Sequence, residues 1–522
     1  MFGKINTKIT LNSLVSRTSE NGIGSALSYQ YFSALAFTVS GAIFYIVVAK
    51  ILPTYDLGAI SLLIAISNIL NILFSFGFPT AAQHFISFHM GKGDRIETYS
   101  IAKRLITMSA VLSIASLVFT LLTARFFAIV FFHNPYDTYL VEAASIYVAG
   151  SILFGVFHGT ALGFQIFRID ALIYLSSVSF SYFLGLALLL VFHGIIFLLV
   201  GIAICYFSGS GMYIIYMFYK RPSIRERSYK TSLQSVFSYS WPVVLSGMLG
   251  VGASYVDRFV VAWFLNLSTL GVYSFVLLIA SSLSFLSGPI TNILLPKLSE
   301  YFSTHQNEKL SFGVNLSSTI LILIYAPIAL GVAAIGPIVL TWLAEPVYAS
   351  GSIALIVLLG ISSIFVLSGV LTSMILAVRK TRVYVVITAL TLVSNVALSF
   401  LLIPKLGMLG AAISNSSVSV VAFVVLYYYA KMADLKNFDW VTILRIWLSS
   451  LGMFFLVTVE RIEMGNFARM LPLYILSGGA IYVVLVNLTH SLRRMKKDEF
   501  LSLVPTKFGL QRIIKILLAR AF

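Results

Sequence analysis

The chain has 522 residues, of which 59% are hydrophobic and only 10% are charged, whereas soluble globular domains contain about 25% charged residues. This composition excludes an ordinary soluble enzyme and predicts an integral membrane protein. The net charge of +17 does not predict a nucleic-acid partner, because the basic residues are spread over the loops between apolar segments, where membrane orientation explains them.

The apolar segments predict an all-α polytopic membrane protein. Each is about 20 residues or longer and keeps Gly, Pro and aromatic residues inside it, which is typical of spanning helices and not of barrel strands of about 10 residues. Residues 1–21 lack the apolar core of a cleaved signal peptide, so we expect the first segment to direct insertion. The fourteen predicted spans are 27–51, 58–78, 105–124, 140–163, 171–192, 195–217, 237–264, 272–295, 314–343, 353–378, 384–402, 409–429, 441–459 and 471–488.

Two details of this series are specific. Residues 126–132 are expected to extend the third span as a tilted or interfacial turn, and only His193-Gly194 divides the fifth span from the sixth. Most Lys and Arg residues fall on one side if the N-terminus is cytoplasmic, and this bias places both termini inside. Pro79, Pro242, Pro289, Pro296, Pro327 and Pro337 mark helix ends or kinks that could act as hinges, although accommodation of curvature is the commoner reason for such prolines.

An internal echo predicts duplication of a half-protein. Val260 lies 213 positions after Val47 in similar Val-Val-Ala segments, and Gly271 lies 213 positions after Gly58 in similar Leu-Gly segments. A constant offset of this length is typical of transporters built from two related halves. The single cysteine, Cys205, excludes an intrachain disulfide, and no Cys/His cluster has the spacing of a metal site.

The predicted domains follow from the echo and from the charged connections. They are a first lobe at 1–219 with spans one to six, a basic cytoplasmic linker at 220–236, a second lobe at 237–432 with spans seven to twelve, spans thirteen and fourteen at 433–488, and a tail at 489–522. The tail carries Arg493, Arg494, Lys496 and Lys497. We expect it either to form an amphipathic helix on the anionic inner leaflet or to provide stop-transfer charge before a frayed end.

A series of short motifs runs along the chain. The motifs, taken in order, are Ala49-Lys50-Ile51-Leu52, Leu57-Gly58, Asp257-Arg258, Leu270-Gly271-Val272-Tyr273, Leu295-Pro296-Lys297-Leu298-Ser299, Asn395, Leu401-Leu402-Ile403-Pro404-Lys405-Leu406-Gly407 and Gly410-Ala411-Ala412-Ile413. In this order and spacing they resemble the polysaccharide-flippase (Wzx-type) branch of the multidrug/oligosaccharidyl-lipid/polysaccharide exporter superfamily. Two features depart from the family. Phe192-His193-Gly194-Ile195 replaces the closing pattern in the first lobe, and the first span contains no arginine.

The resemblance implies two six-helix lobes around a central cavity, with two extra C-terminal helices. It also implies transfer of a lipid-linked oligosaccharide from the cytoplasmic to the outer leaflet of the cell membrane. The expected partners are a polyprenyl-linked glycan, membrane lipids and glycan-assembly enzymes, and the protein is expected to work as a monomer without a cofactor.

The acid and base at Asp257 and Arg258 are the main candidate site. A charge inside hydrocarbon costs several kcal/mol and is kept mainly where it faces a bundle interior, a wet cavity or the interface. Arg258 suits a phosphate or pyrophosphate headgroup, because a guanidinium binds phosphate oxygens bidentately. Alternatively, Arg258 extends to the outer interface while Asp257 caps a helix or pairs with Lys50, or Asp257 is a protonatable coupling site.

Uncharged polar residues within the spans form the second candidate group. Their amide and phenol groups suit sugar hydroxyls and rings, although such residues more often bond between helices. These residues are Gln30, Asn68, Asn71, Asn292, Asn395 and Asn415, together with Tyr29 and Tyr31. His158 is expected to be a hydrogen-bonded core residue and not a ligand.

Two other functions remain as alternatives. A cation-coupled drug or metabolite antiporter of the same superfamily should hold acids deep in the first lobe, and the predicted spans one to six show none at mid-depth. A polytopic glycosyltransferase or lipid-modifying enzyme should have a carboxylate-rich loop, whereas the longest loops here are basic. Gly209-Ser210-Gly211 lies inside a span and follows no strand, so it predicts helix packing and not a phosphate loop.

Overall fold

The computed structural model of the protein describes residues 23–219, 231–378, 380–432 and 438–492. Within these ranges the regular structure is entirely helical. Residues 1–22, the predicted linker residues 220–230 and the tail from 493 lie outside the described residues. The first eight helices are α1 Ile23–Ile51, α2 Thr54–Ser75, α3 Phe78–Gly91, α4 Arg95–Phe127, α5 Thr138–Gly163, α6 Phe167–Tyr174, α7 Phe180–Phe192 and α8 Ile195–Tyr219.

The remaining helices follow the predicted linker. They are α9 Leu233–Phe264, α10 Leu267–Ser282, α11 Gly288–Ser303, α12 Asn307–Ala334, α13 Gly336–Leu343, α14 Ser352–Phe365, α15 Ser368–Ala377, α16 Thr381–Leu406, α17 Met408–Met432, α18 Trp440–Met464 and α19 Leu471–Leu488. In the described residues, 13 helical segments, some made of two consecutive helices, are long and apolar enough to cross a membrane. The all-α polytopic membrane fold is therefore confirmed.

The predicted count of fourteen spans is not confirmed, because the described apolar part of α1, Ala36–Ile51, is a shorter helix. Two predicted details are confirmed. The π-helix Ala128–Phe132 continues α4, and His193, with a φ of 54°, separates α7 from α8.

Three predicted spans have wrong boundaries. The predicted span 272–295 is interrupted, because α10 ends at Ser282 and α11 starts at Gly288 with a proline in its first turn. The predicted span 314–343 is interrupted in the same way where α13 begins. A proline lacks the backbone N–H that continues a helix, so it fits best in a first turn. The predicted span 58–78 ends early, since Phe76 and Gly77 adopt positive φ before α3.

The described residues form two compact units. The first contains the described residues up to Phe44, Ser67–Ala128 and Asn134–Leu245, and the second contains Tyr45–Ile66, Ile129–His133 and the described residues from Ser246 onward. The predicted domain limits remain a prediction.

The core of the first unit lies where α3, α4 and α5 pack together. Phe78 and Ile86 of α3 contact Ile101 and Leu105 of α4 and Val156 of α5, and all five side chains are buried. Association of helices in lipid depends on close van der Waals packing, because lipid tails are as apolar as leucine. This core therefore holds α3 and α4 against α5, the helix that carries Ser151 and His158.

The second unit contains a very close crossing of α2 and α10. A Cβ added at Gly58 would overlap the carbonyl oxygen of Leu267, and one added at Gly271 would overlap that of Thr54. Gly58 thus faces Leu267, which lies 213 positions after Thr54, and Thr54 faces Gly271, which lies 213 positions after Gly58. This reciprocal contact is expected when two related segments cross about a local two-fold axis. Only glycine permits this approach of the two backbones.

Candidate functional site

The carboxylate of Asp257 is buried within the second unit, with no exposed surface. The Tyr273 hydroxyl donates a hydrogen bond to Asp257 Oδ2 at 2.5 Å, and Asn415 Nδ2 donates to the same oxygen at 3.0 Å. Within the described part of the chain, Asp257 Oδ1 has no hydrogen-bond partner. The carboxylate therefore ties together three membrane helices, α9, α10 and α17.

A capped turn places Tyr273 near Asp257. The α9 helix ends at Phe264, and the extended residue Asn266 starts α10 by accepting a hydrogen bond from the Thr269 backbone N–H at 2.7 Å. A side-chain oxygen at this position satisfies a backbone donor that the first helical turn leaves unpaired. The chain reverses within this short turn, so a tyrosine 16 positions after Asp257 reaches its carboxylate.

Arg258 is half-buried and turns toward a different neighbour. Its guanidinium carbon lies 4.3 Å from the centroid of the Tyr255 ring, and its Nε atom is buried without a hydrogen-bond partner among the described residues. A guanidinium over an aromatic face keeps its charge at low cost and leaves N–H groups for an anion. Successive helical residues lie about 100° apart around the helix, so Asp257 and Arg258 contact different groups.

The other predicted site residues do not all join this cluster. Asn395 is fully buried and donates from Nδ2 to the Ala253 carbonyl at 2.7 Å, so it links α16 to α9. Lys50 is exposed at the end of α1. The side chains of Gln30 and Asn292 lie outside the described residues.

Asn68 lines a cavity in the first unit. The cavity has a volume of about 230 Å³ and is bounded by α2, α5, α8 and the segment from α6 into the following π-helix. Asn71 Nδ2 donates to Ser151 Oγ across it at 2.7 Å. Its lining residues are Ser67, Asn68, Asn71, Tyr147, Ser151, Phe154, Gly155, His158, Tyr174, Val178 and Tyr206.

A buried carboxylate supports the wall of this cavity. Asp170 Oδ1 lies 2.7 Å from His158 Nδ1 and accepts a hydrogen bond from the Tyr213 hydroxyl at 2.6 Å. Asp170 has no exposed surface. His158 is hydrogen-bonded, as predicted, but it also lines the cavity, which the sequence analysis did not predict.

The expectation that spans one to six hold no acid at mid-depth stays a prediction, but the first unit contains buried acids near the starts of two helices. Asp170 was placed just before the predicted fifth span, whereas the helix begins at Phe167 and includes it. Glu97, also fully buried, pairs with Arg104 at 3.0 Å near the start of α4. The sequence carried a usable signal, since Asp170 stands three positions after the first residue of an amphipathic turn, but its partners His158 and Tyr213 are distant in sequence.

Across the described residues, no group of three His, Cys, Asp or Glu side chains is arranged to hold a metal ion. The chemistry that both clusters offer is recognition by hydrogen bonds, by one guanidinium and by aromatic faces. The Asp257 cluster combines a buried acid with a nearby cation, whereas the cavity of the first unit presents amides, hydroxyls and rings.

Comparison with known families gives a match over more than half of the chain. The family described as polysaccharide biosynthesis protein matches residues 47–345. The capsular polysaccharide biosynthesis protein CapF of Staphylococcus aureus is 27% identical over 201 residues, which are 38% of this chain and 50% of that protein. The chain thus spans about half the length of this curated relative.

Solved structures of low sequence identity share the fold. Lipid II flippase MurJ in an inward closed conformation has a TM-score of 0.68 at 15% identity, covering 89% of this chain and 98% of that chain. An inward-facing multidrug resistance MATE family transporter of the MOP superfamily has a TM-score of 0.65 at 17% identity, covering 76% and 94%.

Proposed function

Because the chain belongs to the polysaccharide biosynthesis protein family, we propose that it is a membrane transporter that moves a lipid-linked oligosaccharide or polysaccharide repeat unit from the cytoplasmic to the outer leaflet. The family agrees with the resemblance of the sequence motifs to polysaccharide flippases. The product of transport serves assembly of a cell-surface glycan or glycoprotein. The chain acts as a transporter and not as an enzyme.

One observation carries this proposal more than any other. Asp257 and Arg258 stand in the last third of an apolar helix of 32 residues, inside the stretch that matches the family. Charges at such positions are costly and are retained mainly for substrate or ion pathways. The guanidinium of Arg258, which keeps unpaired N–H capacity, supports binding of the phosphate groups that join a glycan to its lipid.

The transport cycle that we propose is alternating access between two lobes that enclose a central cavity. The first lobe comprises residues 1–219 and the second comprises 237–432, joined by the basic linker 220–236. The excess of Lys and Arg in alternate loops supports a cell-membrane location with both termini in the cytoplasm. The polyprenyl-linked glycan meets the protein after cytosolic assembly, and glycan-assembly enzymes are the expected partners of a monomeric transporter.

A second candidate is a cation-coupled drug or metabolite antiporter. The observation in its favour is the buried Asp170 in the first unit, because ion coupling uses carboxylates that are shielded from water. The likeness in fold to a MATE transporter leaves this function open. Oδ1 of Asp170 accepts a hydrogen bond from Tyr213 and lies within hydrogen-bond distance of His158, which supports a structural role and keeps the flippase as the first proposal.

Depletion of the protein in its own cells tests the proposal. We expect lipid-linked saccharide to accumulate on the cytosolic leaflet while surface glycan falls, because synthesis continues without transfer. Extracted lipids are analysed by mass spectrometry, and the surface glycan is measured by lectin binding. Unchanged lipid-linked saccharide, together with greater sensitivity to cationic drugs, would favour the antiporter.

A further inference from the structure

We propose that the cavity of the first unit is a binding subsite for one neutral sugar of the transported glycan, and that it does not bind the phosphate. This inference rests on the proposed function, because it names the part of the substrate that the cavity takes. It assigns a role to residues that the Asp257 cluster leaves unused.

The cavity lining carries no permanently charged side chain among the described residues. Among the described residues that line the cavity, none is Lys, Arg, Asp or Glu, and His158 is the only titratable residue besides tyrosines. A buried phosphate without a cation would pay a large desolvation cost. A neutral ligand rich in hydroxyl groups is the chemical class that suits this lining.

The cavity also presents hydrogen-bonding groups. Asn68, Asn71 and Ser151 bring amide and hydroxyl groups to the cavity, and Asn71 uses only one of its two amide hydrogens on Ser151. Ser67 is 2% exposed, and its hydroxyl has no hydrogen-bond partner among the described residues. A buried hydroxyl without a partner is unusual and points to a polar ligand or water.

His158 has a fixed orientation in the cavity wall. A carboxylate only accepts hydrogen bonds, so Nδ1 of His158 donates to Asp170, which fixes the ring and leaves Nε2 for another partner. The Tyr213 hydroxyl donates a hydrogen bond to the same carboxylate oxygen, Oδ1. The contact between Asp170 and His158 therefore orients the imidazole ring of His158 and leaves its Nε2 atom for a ligand.

Aromatic rings form part of the cavity wall. The Phe154 ring lies 5.3 Å from the Tyr206 ring and 6.0 Å from the Tyr174 ring, and Tyr147 lies 5.7 Å from Tyr206, all measured between centroids. A sugar ring has both an apolar face and polar hydroxyl groups. Aromatic faces beside amides and hydroxyls therefore complement both kinds of surface. The volume of about 230 Å³ is below the roughly 300–1,000 Å³ of pockets for drug-sized ligands, so it suits one small ring.

A cysteine reporter tests the subsite directly. The chain has one cysteine, Cys205, which is buried, so Cys205→Ala gives a background without thiols. Gly155 lines the cavity, and a Cβ there would meet only Pro79 Cγ at 3.5 Å, an ordinary contact. Gly155→Cys is therefore a reporter that the fold accommodates. Gly91→Cys is the matched control, because Gly91 is exposed, outside the cavity, and an added Cβ there meets nothing within 4 Å.

The labelling rate with N-ethylmaleimide is measured on the full chain in lipid nanodiscs. We expect at least one of glucose, galactose and N-acetylglucosamine to slow labelling of Gly155→Cys in a saturable manner, by about tenfold at a concentration near ten times the dissociation constant. Sodium diphosphate at the same concentration should not protect, and Gly91→Cys should label equally with every addition.

A second set of variants tests the assigned contacts. In the reporter background, Asn68→Ala or Asn71→Ala should raise the sugar concentration needed for half protection by about tenfold, as expected for loss of one buried hydrogen bond. Asn487→Ala, which removes an amide from α19, should leave it unchanged. Each substitution is tested in a separate protein. If one variant fails to fold, the other still tests the assigned contacts.

Three results would overturn the subsite. They are no protection by any of the three sugars, equal protection by diphosphate, or no reaction of Gly155→Cys without sugar while Gly91→Cys reacts. Failure of the proposed function is distinguishable. If sugars protect the reporter but a lipid-linked sugar is not moved across liposomes, the subsite stands and the flippase proposal fails. If the lipid-linked sugar moves across liposomes but sugars do not protect the reporter, the flippase proposal stands and the subsite fails.

Discussion

Ser274 Oγ donates a hydrogen bond to Ser61 Oγ at 2.7 Å, and these two serines are 213 residues apart. The offset equals the spacing of the sequence echo, so equivalent positions of two related segments meet each other. Such self-contact of equivalent residues occurs only on or near a two-fold axis. The pair lies beside the crossing of Gly58 and Gly271, and together they mark a local two-fold axis within the second unit.

The crossing predicts a large effect of adding one methyl group. Gly58→Ala and Gly271→Ala should each lower the free energy of unfolding by about 1–3 kcal/mol, because the added Cβ overlaps a backbone carbonyl that cannot turn aside. Melting of the purified protein, followed by fluorescence-detected gel filtration, measures the effect. Gly360→Ala is the control, since an added Cβ there meets nothing within 4 Å, and alanine favours a helix. Equal melting temperatures for all three variants would refute the close crossing.

Asp257 is predicted to stabilise the second unit through its acceptors. Asp257→Ala removes the acceptor of Tyr273 and Asn415, and each buried donor left unpaired costs about 1–3 kcal/mol. Asp257→Asn keeps the shape and one acceptor oxygen, so its melting temperature should lie between those of Asp257→Ala and the unaltered protein. The account fails here if alanine and asparagine at this position melt at the same temperature as the unaltered protein.

A separate measurement addresses coupling by Asp257. If this carboxylate carries a proton during the cycle, transport should depend on an imposed proton gradient in the unaltered protein and lose that dependence in Asp257→Asn. Transport is measured in proteoliposomes with and without a gradient. Indifference of the unaltered protein to the gradient would remove the coupling role and leave Asp257 as a structural acceptor.

Arg258 is predicted to contact the phosphate of the substrate. Arg258→Ala should abolish transport while the protein still inserts, and Arg258→Lys should restore only part of it, because an ammonium does not offer the bidentate geometry of a guanidinium. Arg125→Ala is the matched control, since Arg125 is an exposed arginine near the end of a membrane helix. Equal transport by Arg258→Ala and Arg125→Ala at equal abundance would show that Arg258 only extends to the interface.

The hydrogen-bonded group of Asp170, His158 and Tyr213 is predicted to stabilise the first unit. Tyr213→Phe removes a hydrogen bond to a carboxylate and should cost about 1.5–3 kcal/mol of unfolding free energy. Tyr136→Phe is the control, because Tyr136 is 85% exposed. Thermal melting compares the two variants, and an unchanged melting temperature for Tyr213→Phe would contradict the contact.

The fold was largely predictable because the composition and length of an apolar run indicate directly whether it can span a membrane. A run such as Ile195–Met217 leaves few alternatives to a spanning helix. Breaks within long apolar runs were harder to place, because the chain around Pro289 and Pro337 is apolar on both sides of each break. Hydropathy therefore predicted a single span in places where the structure has two separate helices.

The candidate site was predictable only in part. Asp257 and Arg258 stand out because charges within apolar helices are rare. Asn415 was only one of several candidate amides and Tyr273 only part of a motif, and their contacts with Asp257 depend on tertiary packing. Asp170 was missed because it lies at the border of an apolar run, where an acid usually faces water. Its burial depends on His158 and Tyr213, which only tertiary packing brings to it.

The central claim is that this protein moves a lipid-linked sugar across a membrane. The most direct test reconstitutes the purified protein into liposomes that contain a polyprenyl diphosphate-linked N-acetylglucosamine with a nitrobenzoxadiazole label on its sugar, and adds dithionite outside. The account predicts that dithionite quenches the label well beyond the outer-leaflet share seen in protein-free liposomes, and that Arg258→Ala removes the difference while Arg125→Ala keeps it. Quenching equal to that of protein-free liposomes, from protein that is folded and inserted, would contradict the account.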